Sequence, residues 1–520
     1  MIHTQAAMIH DNTPHRIFEI TELTRAIASQ LILTSRKSTV DLARTCRYLE
    51  EPALSTLWET QGSLDTLLKV LPEETWRFES DDHRVRDLDP PLRNRTLKFS
   101  PAQFVIVGEP SPEDWKRVQR YASWMRHVFM DDSALAEGTF HKLRLNSPAG
   151  GWFPALQDLS WCITASNLPS ADLLFPPHLT KISISSPLSW GSSGIPPGVL
   201  PAIASRIAAL PTSALQSLLV GVRWHHWVPW AQFKESLSSV VLRCGPSLTE
   251  FASPVPLSDE AMNHLIRLPH LRTWRVNRPP PNYSDSPLPL AFPPLAEFTI
   301  GGNAAHGWLS LLGRLEHDVP TTQGVTPLSS VKGSLKSLTI FNFPDPIIDA
   351  SFASTVQIFC NLVFLSVEVL CHGRGDEGEC TFKLNNDNVT QLAMALPRLE
   401  SLLLGYPCFE NTCATTVACL LPISVYCAKL GLLEIHFNVT NIVEDIKNIS
   451  EDPRFEDLRP LPRCPLSQLS VYRIPLNLEE PDLETVAKGM IDIFPSLELC
   501  EGMGRTWYVL SERVKKLQRM

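Results

Sequence analysis

One short spacing recurs between Phe140 and Cys500: an apolar residue, two variable positions, an apolar residue, one variable position and a third apolar residue. Leu271-x-x-Trp274-x-Val276, Leu295-x-x-Phe298-x-Ile300, Leu335-x-x-Leu338-x-Ile340 and Leu362-x-x-Leu365-x-Val367 show it, as do Leu399-x-x-Leu402-x-Leu404, Leu430-x-x-Leu433-x-Ile435 and Leu466-x-x-Leu469-x-Val471. Earlier members are Phe140/Leu143/Leu145, Leu156/Leu159/Trp161, Leu179/Ile182/Ile184 and Leu215/Leu218/Val220. The spacing predicts a strand whose alternate side chains enter a common core, preceded by a buried anchoring leucine, while the intervening residues face outward. A strand of this kind cannot bury its apolar face alone, so the constraint acts on a stacked array.

Many units carry a proline just before the anchor, as in Phe153-Pro154-Ala155-Leu156, Leu268-Pro269-His270-Leu271, Phe292-Pro293-Pro294-Leu295, Leu396-Pro397-Arg398-Leu399 and Phe494-Pro495-Ser496-Leu497. Proline ends the preceding helix and turns the chain toward the strand. This use accounts for part of a high proline content, 44 in 520 residues. Units lie about 16 to 40 residues apart, looser than the ~20–29 of regular leucine-rich repeats, so helices or loops must fill the longer ones. Phe233, Leu237, Val240 and Val241 recur at helical steps before Cys244-Gly245, and Met262, Leu265, Ile266 and Leu268 do so before Pro269. The expected fold is α/β: an irregular leucine-rich-repeat solenoid with a parallel sheet on its concave face and helices and loops on its convex face.

The N-terminal segment follows a different period. Ile20, Leu23, Ile27 and Leu31 form one helical stripe, which the polar run Thr34 to Ser38 ends. Ser38 with Asp41 reads as a second helix start, followed by a stripe of Leu42, Cys46 and Leu49. Pro52 suits the first turn of a third helix with Leu54, Leu57 and Trp58 inward, and Leu64, Leu67, Leu68 and Leu71 continue the bundle to Pro72. Helices this short need a neighbour to cover their remaining apolar surface. A further helix is expected over 113–122, with Trp115, Val118, Ala122, Met125 and Phe129 inward.

The run Arg16-Ile17-Phe18-Glu19-Ile20-Thr21-Glu22-Leu23, then Asp41 to Arg47, then Glu51-Pro52-Ala53-Leu54 to Leu57-Trp58, resembles the F-box of fungal F-box proteins. Thr21 stands where that family usually has proline. The helix with its tryptophan and Tyr121-Ala122 pair is similar to the connecting helix of basidiomycete-type members. The resemblance covers residues 14 to 60 and implies docking onto the Skp-type adaptor of a cullin-based ubiquitin ligase. It assigns adaptor-binding and core roles jointly to Ile17, Phe18, Ile20, Leu23, Ile27, Leu42, Cys46 and Leu49, without deciding which face the adaptor. A helical cap closing the array is the alternative for the same segment.

Other chemistry finds little support. A net charge of −9 without a basic block speaks against nucleic acid as a partner. With no leader-like start and no apolar stretch of membrane-spanning length, the chain is expected to be cytoplasmic or nuclear, away from membranes. In that compartment the sequons at Asn94, Asn388, Asn438 and Asn448 are silent, and the 12 cysteines are reduced, apolar fillers. Cys371-His372 with Cys380 lacks paired zinc spacing and reads as a loop. Trp224-His225-His226-Trp227-Val228-Pro229-Trp230 reads as core tryptophans with surface histidines, and Glu479-Glu480-Pro481-Asp482 as a helix start. No phosphate loop, metal helix or nucleophile turn is found, so no catalytic residue, metal or cofactor is expected.

The expected organisation is a flexible 1–13, a helical module over 14–72, a linker and connecting helix over 73–135, the solenoid over 136–510 and a tail over 511–520. Function follows as a non-catalytic substrate receptor of a Skp–cullin–F-box ligase, holding the adaptor and cullin complex at one end and a protein substrate on the repeats. The alternative is a repeat scaffold without a ubiquitin link. Outward strand positions, among them Thr273, Arg275, Glu297, Ser337, Ser366 and Glu434, are the candidates for partner contact.

Overall fold

The computed structural model describes residues 21–79, 103–130, 135–149, 151–163, 173–185, 199–221, 230–255, 257–276, 293–301, 308, 333–343, 350–369, 383–405, 413–451, 463–471, 478–502 and 505–519. The chain divides into two compact units, residues 1–217 with 221–229, and residues 218–220 with 230–520.

The first unit opens with helices α1 (Thr21–Thr34), α2 (Arg36–Thr45) and α3 (Arg47–Glu59). Ser35, not Ser38, caps α2: its hydroxyl accepts from the Ser38 amide at 3.4 Å. Cys46 is extended and separates α2 from α3, so Leu42 and Leu49 lie on different helices instead of one stripe. Pro52 sits inside α3, not in its first turn. Its carbonyl accepts from the Ser55 and Thr56 hydroxyls at 3.0 and 2.9 Å. After α3 come strand β1 (Thr60–Gln61) and helix α4 (Leu64–Leu68), whose leucines and Leu71 are buried as the spacing predicts.

The stretch expected as linker also holds an antiparallel pair, β2 (Trp76–Glu79) with β3 (Gln103–Ile106), on which Trp76 stacks over Phe104 at 5.1 Å. Helix α5 (Pro112–Ala122) begins at a capping box between Ser111 and Asp114. It buries Trp115, Val118 and Ala122 and then stops. Met125 is buried beyond it, and the chain continues as β4 (His127–Met130), which leaves Phe129 on the outward side, 49% exposed. Phe129 is therefore not an inward helix position: Met125, Val128 and Met130 carry the repeat spacing themselves. The reverse holds for Phe140, Leu143 and Leu145, which lie on helix α6 (Glu137–Leu145) with Leu145 71% exposed. Spacings of three are common to both structures, and here the helix takes them. Strands β5 (Asp158–Cys162) and β6 (Lys181–Ser185) follow, then helix α7 (Val199–Ala209). Strands β1, β4, β5 and β6 pair in that order, all parallel.

Strand β7 (Ser217–Gly221) carries the division between units. The second unit alternates strands with helices: α8 (Trp230–Arg243), β8 (Glu250–Ser253), α9 (Asp259–Ile266), β9 (Thr273–Val276), β10 (Glu297–Gly301), β11 (Ser337–Phe343), α10 (Ala350–Val356), β12 (Phe364–Val369), α11 (Asn386–Ala395) and β13 (Ser401–Leu404). It ends with α12 (Leu420–Tyr426), β14 (Leu432–Ile435), α13 (Ile442–Glu451), β15 (Gln468–Val471), α14 (Glu480–Ile493), β16 (Leu499–Glu501) and α15 (Arg505–Gln518). Strands β8 to β16 pair in chain order, every pair parallel.

The repeat has a backbone signature as well as a side-chain one. Two successive amides at the start of a strand donate to one carbonyl of the preceding repeat: Arg272 and Thr273 to Thr249, Ala296 and Glu297 to Arg272, Glu400 and Ser401 to Val363. The anchoring leucine closes a turn onto the residue three before it, as Leu399 does on Leu396 at 3.2 Å and Leu497 on Phe494 at 3.1 Å. Pro154, Pro269, Pro397 and Pro495 therefore occupy the second position of this turn, where proline's fixed φ is already correct, while Leu295 closes instead onto Pro293, two residues before it. Anchors Leu156, Leu271, Leu295, Leu399 and Leu497 are all at most 1% exposed. Leu248, Phe251 and Ser253 form one more unit, in which a buried serine replaces the third apolar residue. Residues 511–518, expected as tail, belong to α15, which buries Trp507, Leu510 and Val514. The Glu479 to Asp482 segment starts α14 as expected. The described chain is an α/β leucine-rich-repeat solenoid.

Candidate interaction surfaces

In the helical module, α1, α2 and α3 meet through small residues. Ala28, Ala43 and Ala53 form the shared core, with Leu42 and Leu54 partly buried against it. Close approach through alanines leaves the long apolar side chains of α1 outside: Leu33 is 79% exposed and Leu23 36%, while Ile27 and Leu31 are half-buried. Cys46 is half-buried and Leu49 buried. Ile17, Phe18 and Ile20 lie outside the described residues. The other side of the module is fixed within the first unit. Trp58 stacks on Tyr121 at 4.8 Å, the Arg126 amide donates to the Glu59 carbonyl at 2.9 Å, and β1 pairs with β4.

Near this junction lies a recess of about 160 Å³ lined by Arg25, Arg126, Glu59 and hydroxyl residues. The Ser29, Ser55, Thr56 and Ser123 hydroxyls there donate to carbonyls of their own helical turns at 2.7–3.0 Å. Arg126 lies 3.7 Å from Glu59. These hydroxyl donors are committed to structure, and the recess presents the Arg25 side chain and one loosely held ion pair.

On the sheet of the second unit the outward positions align laterally. Thr273, Glu297, Ser337 and Phe364 share one row by register, and Arg275, Thr299, Thr339, Ser366, Leu403 and Glu434 share the next. Arg275 and Glu297 are exposed and face each other at 3.9 Å, and Thr273, Ser337 and Glu434 are half-buried. Ser366 is only 3% exposed: its short side chain stands between the longer Thr339 and Leu403. Sequence reading passed over Glu368, two positions further along β12. Burial, and then the Glu434 charge, push its carboxyl above the usual range. The alternation of β12 marks it as outward, and that signal was available.

Beyond Ile435 the His436 amide still donates to Leu404 at 3.0 Å, continuing the ladder. The ring is fully buried, and neither ring nitrogen has a hydrogen-bond partner among the described residues. Burial lowers its pKa to about 4, so the imidazole is neutral at pH 7. Gly405, its lateral neighbour, has φ +112°, and a Cβ there would lie 2.8 Å from the His436 Cβ, so no other residue fits.

Burial pushes the thiols of Cys244, Cys427 and Cys500 up to about 12 and that of Cys464 to about 11. They act as apolar filling, as the sequence suggests. The Cys371–Cys380 segment and residues 224–229 lie outside the described residues. Among the described residues no helix is long and apolar enough to cross a membrane, and no group of three or more His, Cys, Asp or Glu is placed to hold a metal ion.

No protein-family model matches the chain, and no curated protein matches it. Among solved structures it is similar to the leucine-rich repeat-containing protein LegL7 from Legionella pneumophila, at 10% identity and a TM-score of 0.29, over 69% of this chain and 91% of that one.

Proposed function

We propose that this chain is a non-catalytic substrate receptor: its N-terminal helices hold a Skp-type adaptor of a cullin-based ubiquitin ligase, and its repeats hold the protein to be modified. The observation that supports this reading most is the inverted packing of the helical module, where alanines form the core and the stripe residues Leu23, Ile27 and Leu31 remain at least partly uncovered. A helix retains such a stripe when a partner covers it. The resemblance of residues 14 to 60 to an F-box supplies the adaptor as that partner. Receptors of this kind act by raising the effective concentration of substrate at the ligase, which requires surface complementarity and no catalytic group.

Charging the stripe tests the reading. Leu23→Asp and Ile27→Asp abolish co-purification with a Skp-type adaptor while circular dichroism remains that of the folded protein. Retained adaptor binding in both variants contradicts the assignment of this face.

The second reading is a repeat scaffold in which the helices only close the array. The tie of α3 into the sheet through β1, and of Trp58 onto Tyr121, favours it, because a cap must pack on the first strands.

A further inference from the structure

The recess between the helical module and the first strands holds more donors than the chain itself uses. Helix α1 lines it with Arg25, α3 with Glu59, the turn after α5 with Trp124 and Arg126, and the turn before β5 with Ala155. All of them belong to the first unit. The Arg25 guanidinium has no acceptor among the described residues, and neither has the Trp124 indole N–H. Arg126 meets only Glu59, at 3.7 Å, with side chains 50% and 40% exposed, and an ion pair so loose and so wet costs little to open. The walls, in contrast, are fixed. The Arg126 amide donates to Glu59 and its carbonyl accepts from the Gln157 and Asp158 amides, each at 2.9 Å. The Trp124 ring has Tyr121 against it at 5.5 Å and Arg120 at 5.2 Å. The four hydroxyls direct their protons to carbonyls, so toward the recess they act only as acceptors.

We infer that this recess takes the C-terminal carboxylate of a polypeptide whose last residue is small. Two guanidinium groups against one carboxylate leave a single positive charge, which one carboxylate neutralises. A phosphate monoester brings nearly two negative charges and meets Glu59. The planar fork of Arg25 matches a carboxylate with two parallel N–H···O bonds, and the indole N–H is a further donor. A chain terminus also brings an amide N–H, which the hydroxyl oxygens accept, whereas an acidic side chain brings acceptors alone. The volume of about 160 Å³, enough for a benzene-sized group, exceeds what a bare carboxylate fills, and Ala155 and the Trp124 ring supply apolar contact for a small side chain. The site is separate from the stripe assigned to the adaptor. On α1 the buried positions are Thr24 and Ala28. Leu23 and Ile27 precede them by one residue and Arg25 and Ser29 follow them by one, roughly 100° to either side of the buried line. The inference therefore goes beyond the receptor reading and does not depend on it.

The test measures fluorescence anisotropy of labelled short peptides with the full chain. The peptides end in glycine, alanine or serine as free acids, beside the matching C-terminal amides and amides that carry an aspartate as the penultimate residue. The free acids bind, and both sets of amides bind at least about tenfold more weakly. Arg25→Gln, at an exposed position without a partner, and Arg126→Gln each weaken the free acids by about tenfold or more while circular dichroism stays that of the folded protein. Arg25→Lys, which keeps the charge and loses the fork, restores only part of the affinity. Inorganic phosphate at the peptide's concentration does not displace it. Failure of every free acid to bind, equal binding of acids and either set of amides, displacement by phosphate, or unchanged affinity in both glutamine variants overturns the inference. Leu23→Asp keeps peptide binding and Arg25→Gln keeps adaptor co-purification, so failure of the recess and failure of the receptor reading are told apart on the same proteins.

Discussion

His436 shows how one buried side chain makes stability depend on pH. Its ring is enclosed, its backbone extends the β14 ladder, and its Cβ presses on Gly405, so it stays where protonation is unfavourable. The folded-state pKa of about 4 lies below the ordinary 6.5. The unfolded chain therefore binds the proton first as pH falls, and stability present above pH 6.5 is lost progressively toward pH 4. The loss attributable to this residue is on the order of 2–3 kcal/mol. Urea midpoints taken at pH 7 and pH 5 should fall for the native protein and fall less for His436→Leu. Equal pH sensitivity in the two proteins would falsify the assignment. Glu368 has the opposite sense: burial, and then the Glu434 charge, raise its pKa, so ionisation in the folded state is unfavourable.

At the scale of elements, packing of neighbouring helices decides several positions that propensity would misjudge. Gly489 lies in the interior of α14, where alanine normally stabilises by about 1 kcal/mol. A Cβ at this position would stand 2.2 Å from Cγ2 of Ile446 on α13, a β-branched side chain with little freedom to move. Gly489→Ala is expected to destabilise by roughly 1–3 kcal/mol, and pairing it with Ile446→Ala should recover part of that loss in a double-mutant cycle. A single variant as stable as the parent contradicts this packing.

Strands were legible where three apolar residues kept the spacing, from Leu156 to Val471, because period-two burial leaves a direct trace. The exceptions have physical causes. Phe140, Leu143 and Leu145 satisfy the same spacing on a helix, and Met125, Val128 and Met130 satisfy it immediately after one, so spacing alone could not assign either. Ser253 is buried in a core position with its hydroxyl held by Val255, which hides its strand from an apolar search. The antiparallel pair β2 and β3 joins distant segments, and only the alternation of Trp76 with Phe78 and of Phe104 with Ile106 hinted at it. In the candidate surfaces, Leu23 and Ile27 were legible as a stripe. The alanine core that keeps them uncovered was not, because alanines carry no sequence signal of which helix they will meet.

Across the whole molecule, each strand owes its burial to its neighbours, and the repeated sharing of one carbonyl by two amides makes the array continuous within each unit. Such a framework holds rows of outward side chains in fixed register, which suits it to recognising an extended surface. The receptor account adds a second surface, the uncovered stripe of α1, and requires both to be occupied by different proteins. Size-exclusion chromatography with light scattering, on the full chain mixed with a purified Skp-type adaptor, measures this most directly. The account predicts a stable one-to-one complex that Leu23→Asp dissolves. A folded chain that elutes apart from the adaptor at every concentration contradicts it and leaves a repeat scaffold with a helical cap.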